Sequence, residues 1–196
     1  MAGSIVLGSI SAVSSKTVSD SFRHVALDPS THATQTIQNA HHEIHAGNNF
    51  YLSGYTTLED GPGTLYIKLV TPDTTKWAHF VWSISSSGIT MTTLTEDATG
   101  GMTGGSTPTI FNNNRNSSTT SGLVITSGVT VNTGGTIIDQ AQWGASGFKE
   151  FSGGGNGRSD ELVLKQNTTY LRAFTSYSAG NVIQFKASWY EHTDKD

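Results

Sequence analysis

Cysteine is absent from this chain, so neither a disulfide nor a thiolate metal site holds it together. Its stability has to come from packing, strand pairing or assembly. Charge is scarce as well: Asp, Glu, Lys and Arg make up 13% of the 196 residues, and the formal net charge is -4. That balance leaves no basic face for nucleic acid, which needs clustered Lys and Arg to meet phosphates. Long apolar runs are missing too; no window approaches the roughly 20 residues a bilayer span requires. The apolar stretch Ile5 to Val13 is interrupted by Gly8, Ser9 and Ser11 and lacks a basic lead, so it reads as no signal peptide. No 11-residue window carries a convincing helical period.

Glycine is plentiful, at 22, and Ser, Thr and Asn fill much of the remainder, while hydrophobic residues are 35%. The apolar residues cluster with a period of two. In GTLYIKLVTP, Leu65, Ile67 and Leu69 face one way and Tyr66, Lys68 and Val70 the other. In KWAHFVWSI, Ala78, Phe80, Trp82 and Ile84 oppose Trp77, His79, Val81 and Ser83. In NVIQFKASWYEH, Ile183, Phe185, Ala187 and Trp189 read as inward, with Gln184, Lys186 and Ser188 outward. Each is a half-buried strand with one wet face. Turn-forming runs separate them: EDGPG at 59–63, SSSG at 85–88, TGGMTGGS at 99–106, NTGG at 132–135 and SGGGNG at 152–157. The Gly-rich loops at 99–106 and 152–157 read as mobile tips. Many short strands so punctuated predict an all-β, antiparallel sandwich, jelly roll or barrel. Residues 1–20, Ser-rich and without clear alternation, read as a flexible arm, or as an arm that orders by adding a strand to a neighbour, with residues 21–196 as the sandwich domain.

The densest chemistry lies in NAHHEIHAGNNF at 39–50. Taken as a strand, His41, Glu43 and His45 share one face. Adjacent members then lie roughly 6.5 Å apart, and His41 and His45 about 13 Å apart, too far to clasp one ion. A helix would bring those two together, but the order lacks the His-Glu-x-x-His spacing of zinc proteases. A metal set would need His79 or His24 from other strands. The plainer reading is polar strand decoration hydrogen-bonded across strands, with no metal and no cofactor.

Nothing else selects a catalytic centre. No Gly-x-Ser-x-Gly elbow stands on a strand-to-helix turn, and the Gly-rich runs lack the Lys-Ser/Thr of a phosphate loop. Among the carboxylates Asp60, Glu96, Asp97, Glu150, Asp160 and Glu161, no pair stands out for glycosidase work. IFNNNRNSSTTSG at 110–122 is more specific: Arg115 is ringed by Asn112, Asn113, Asn114 and Asn116. Amides favour local backbone bonds, and one Arg can fork onto a carboxylate or carbonyls. The loop reads as braced by Arg115, with recognition of a subunit or a glycan as the alternative.

The ordered segments HHEIHAGNNFYLS, TPDTTKWAHFVWSI, FNNNRNS, ELVLKQNTTYLRAFTS and ASWYEH resemble a family of tailed-phage virion proteins, the head decoration or cement proteins, over residues 21–192. The resemblance implies a jelly-roll-type β-sandwich on the outer surface of the capsid, with no enzymatic activity. The implied partners are the major capsid protein and other copies of the chain, as a dimer or trimer, and neither nucleic acid nor membrane. Candidate interaction residues are Arg115, Asn114, Asn116, His41, Glu43 and His45. The alternative function is a receptor-binding or fibre-head module for a cell-surface glycan, using outward aromatics such as Trp77, Tyr66 and Tyr190.

Overall fold

The computed structural model describes residues 39–59, 61–131, 134–144, 152–155 and 161–193. The expected arm at 1–20, its boundary with the domain, His24, Asp60, Glu150 and Asp160 lie outside these residues. Among the described residues one helix, α1 (Asn39–His45), precedes thirteen strands. These are β1 (Asn49–Leu58), β2 (Gly63–Val70), β3 (Lys76–Ser86), β4 (Thr90–Glu96), β5 (Met102–Thr103), β6 (Phe111–Asn112) and β7 (Val124–Ser127). They continue with β8 (Thr130–Val131), β9 (Thr136–Trp143), β10 (Ser152–Gly155), β11 (Leu162–Leu164), β12 (Thr169–Ser176) and β13 (Asn181–Thr193).

The chain is an antiparallel β-sandwich. A six-stranded sheet runs β10-β3-β13-β1-β6, with β11 also paired to β3, and a five-stranded sheet runs β7-β2-β12-β4-β9. The predicted alternation holds. Ala78, Phe80, Trp82 and Ile84 of β3, and Ile183, Ala187 and Trp189 of β13, face Ile67 and Leu69 of β2 and Phe174 of β12 in one core. Phe80 stacks on Trp189 at 5.3 Å, and Trp82 meets Phe174 edge-on at 5.9 Å. Each fully buried side chain of this size stabilises by roughly 1.5–3 kcal/mol over leaving it wet. The two-stranded β5–β8 sheet packs Val129, Met102 and Val131 over Leu171 and Tyr66, covering part of the outer face of the five-stranded sheet.

Two local expectations are corrected. SGGGNG is no loop tip throughout: its first four residues are β10, paired with Ser83–Ser86 at the edge of β3. Backbone pairing makes that strand, and glycines carry no side-chain pattern to announce it. HHEIH is not a strand but helix α1. It is stopped by Gly47 at φ 76°, with Gly47 N–H donating to Ile44 O at 3.0 Å and Asn48 N–H to Glu43 O at 2.9 Å. Those are the two bonds of a Schellman cap, whose left-handed position glycine adopts most cheaply.

Tyr170 ties the end of the core to the sheet edge. Its hydroxyl accepts from Lys165 N–H at 2.8 Å and donates to Glu96 Oε2 at 3.1 Å. Burial, opposed by the Lys165 bond and helped by Glu96, pushes its pKa up to about 12. The neutral phenol is therefore the form the fold prefers. Its contribution to stability is complete below the ordinary tyrosine value of about 10 and is lost as pH rises from there towards about 12. Tyr170→Phe is expected to remove that alkaline step from a pH series of urea midpoints; an unchanged step would assign it elsewhere.

Candidate functional site

The residues singled out in the sequence converge at one corner. Helix α1 enters β1, and the Asn-rich loop folds against the junction. Asn112 Nδ2 donates to Gly47 O at 2.7 Å and to Thr119 O at 3.1 Å, Asn113 Nδ2 donates to Asn49 Oδ1, and Asn114 Nδ2 donates to His45 O at 3.2 Å. Asn116 N–H closes on Asn114 Oδ1 at 3.2 Å. A side chain at Gly47 would stand 2.4 Å from Ser117 Oγ, so helix and loop interlock without room for one. The far end of the loop is held by the buried Glu191 carboxylate, which accepts from Ser121 Oγ at 2.6 Å, from Gly122 N–H at 3.0 Å and from Trp189 Nε1 at 3.0 Å.

The loop is braced, as expected, but not by Arg115. The amides of Asn112, Asn113 and Asn114 do the bracing, and the Arg115 guanidinium lies over the Phe111 ring at 5.3 Å instead of forking onto oxygen. β6 sets Phe111 opposite Tyr51 of β1, and the two rings stack at 5.5 Å. Lys186 of β13 caps the other side of Tyr51, its Nζ 5.1 Å from the ring. Four side chains thus form a cation–aromatic–aromatic–cation row across three strands. Such contacts hold long side chains in place by roughly 0.5–1 kcal/mol each at an exposed site. The helical phase also corrects the histidine geometry. His41 and His45 lie one turn apart with Nε2 atoms at 3.1 Å, while Glu43 is buried between its bonds to His42 Nδ1 at 3.3 Å and Asn48 Nδ2 at 3.1 Å.

Further along the same outer face, His79, Tyr190, Glu161 and His192 form a second cluster. His79 of β3 sits opposite Tyr190 of β13 and stacks on its ring at 4.5 Å. Glu161, one residue before β11, meets His79 Nδ1 at 2.6 Å and accepts from the Tyr190 hydroxyl at 2.8 Å. His192 brings its Nε2 within 2.9 Å of His79 Nε2. Outward alternation of His79, Tyr190 and His192 was readable; the strand pairing that joins them was not. Among the described residues no set of three His, Asp or Glu side chains has the geometry to hold a metal ion. Of the aromatics expected to stack on sugars, Trp77 is exposed, Tyr66 lies under the small sheet and Tyr190 is buried in this cluster.

A cleft of about 410 Å³ opens between β9 of one sheet and β3 and β11 of the other. Phe80, Trp82, Trp143, Asp139, Glu161 and Arg172 are among its lining. Arg172 is buried, salt-bridged to Asp139 at 2.5 Å and stacked over Trp82 and Phe174. Trp82 Nε1 and Arg172 Nε are buried and have no hydrogen-bond partner among the described residues.

No family model, no curated protein and no solved structure matches this chain.

Proposed function

We propose that this chain is a decoration, or cement, protein of a tailed-phage head, bound to the outside of the shell through the outer face of its six-stranded sheet. The observation that carries this reading is the difference between the two outer faces. Part of one is covered by the chain's own β5–β8 sheet. The other presents Phe111, Trp77 and Val163, all exposed, beside the preset Arg115 and Lys186. Aromatic anchors with Arg beside them are the composition that protein partners take. Rings and cations already held in a row lose little side-chain freedom on docking.

Strand order supports the jelly-roll reading. Apart from the short segments β5 to β8 and β11, the chain alternates between sheets from β1 to β4, continues in β9, and alternates again through β10, β12 and β13. Such winding is what a jelly roll would require, an architecture used by viral capsid and lectin domains. The occupant of the face is the major capsid protein, as the family resemblance implies. Copies repeated over a lattice gain by avidity, so each contact can be modest. A protein that binds only the assembled shell stabilises it by mass action. Dimers or trimers at symmetry axes would clamp neighbouring capsomers, and no substrate, cofactor, membrane or nucleic acid enters that mechanism.

Cryo-electron microscopy of virions is expected to show this chain on the outer head surface, with Phe111 and Arg115 against the shell. Phe111→Ala is expected to weaken head binding by about 2 kcal/mol, roughly 30-fold, and Arg115→Ala by less. Density confined to the tail tip would sink the proposal.

The cleft favours a second reading, a module for a cell-surface glycan. Indole faces suit sugar rings, and Asp139 and Glu161 can accept from hydroxyls. Glycan-array signal lost in Trp143→Ala, with heads bare of the chain, would select it.

A further inference from the structure

We infer that His79 and His192 form a two-nitrogen site for a divalent transition-metal ion of the zinc class. The inference is independent of the docking proposal. The two residues lie diagonally across the β3–β13 pair, where His79 faces Tyr190 and His192 faces Trp77. Their Nε2 atoms are 2.9 Å apart. The other nitrogen of each ring is already committed. Nδ1 of His79 meets Glu161 Oε1 at 2.6 Å, and Nδ1 of His192 meets the Thr193 carbonyl oxygen at 2.5 Å. A carboxylate and a carbonyl only accept, so in the neutral rings each Nδ1 carries the proton. Both Nε2 atoms then bear lone pairs, and they face each other. Two lone pairs at that distance repel unless a positive centre lies between them.

That centre is either a shared proton or a metal ion, and the surroundings favour the ion. Histidines that ligate metals almost always donate their other N–H to a carboxylate or a backbone carbonyl, which fixes the tautomer and raises ligand basicity. Here one histidine has each kind of acceptor. The Tyr190 hydroxyl, 2.8 Å from the same Glu161 oxygen, holds the carboxylate in place. A tetrahedral ion with nitrogens at about 2.0–2.1 Å sets those nitrogens about 3.3 Å apart. The pair at 2.9 Å needs to open by only about 0.4 Å. His192 can supply that movement, being half-buried and one residue from the end of β13. Water fills the remaining coordination positions. The His41–His45 pair, at 3.1 Å on the exposed side of helix α1, has the spacing but no comparable carboxylate at Nδ1 among the described residues.

The test uses the full chain with His41→Ala and His45→Ala, which removes the helical pair. Chelator-stripped protein is titrated with Zn²⁺ by calorimetry and with Co²⁺ by visible absorption. One ion per chain is expected. Glu161→Gln is expected to weaken affinity roughly 10- to 100-fold at unchanged stoichiometry. His192→Ala is expected to abolish binding, and His192→Gln serves if the alanine variant loses its far-ultraviolet circular dichroism. Equal binding with and without His192 would overturn the inference. So would no binding at a tenfold excess of Zn²⁺, leaving a proton as the bridge.

Discussion

Asn181→Ala is expected to lower the unfolding free energy by about 4 kcal/mol, or about 10 °C in Tm for a domain of this size. Asn181 opens β13 and is fully buried. Its Oδ1 accepts from Ser86 Oγ at 3.0 Å, Ser87 Oγ at 3.1 Å and Gly88 N–H at 2.7 Å. Its Nδ2 donates to Thr90 Oγ1 at 2.8 Å and Ser176 Oγ at 2.9 Å. One amide therefore joins the β3–β4 turn to the β12–β13 turn, and so one sheet to the other. Alanine strands several buried groups at once, each worth about 1–3 kcal/mol. Ser86 and Thr90 keep their mutual bond at 2.6 Å, which limits the damage. Asn181→Asp should be worse, because it buries a charge and loses both N–H donors. Guanidinium unfolding measures the loss; under about 1 kcal/mol would show that water replaces the amide.

The second large effect reverses the usual expectation that the buried partner matters more. Arg172 is 2% exposed, while the Asp139 side chain is 41% exposed. Burial presses the Arg172 pKa down, and its bond to Asp139 opposes that. Asp139→Ala leaves a guanidinium in the core with only Thr92 Oγ1, at 3.0 Å, and two aromatic faces for company. The expected cost is about 3 kcal/mol. Arg172→Met instead removes the charge and keeps the packing against Trp82 and Phe174, while Asp139 turns to water; the expected cost is under about 1 kcal/mol. Urea midpoints of the two variants decide the order. A more harmful Arg172→Met would mean that the cation itself organises the cleft.

The strands that alternate most clearly were legible because alternation is local. Phe80, Trp82 and Ile84 could only be buried together if KWAHFVWSI was extended, and so they are. Helix α1 escaped because its seven residues are too few to show a period, and its three histidines read equally well as strand decoration. Its stop signal, Gly47 followed by Asn48, was present and could have located it. The Asn-rich loop is braced, as its amides imply, but Arg115 meets a ring and not an oxygen. Phe111 draws it onto a ring only because β6 pairs with β1, a fact of register between distant segments.

By itself the sequence determined the class of the fold. Period-two apolar runs, turn residues between them, scarce charge and the lack of cysteine point to a packed all-β sandwich or barrel as the way to bury these side chains. Only the tertiary structure decided which polar residues meet. His79 and His192 are 113 positions apart, and Asn114 and His45 are 69 apart. Nothing in local propensity encodes such distances; they follow from strand register, which is set when both sheets close on the shared core.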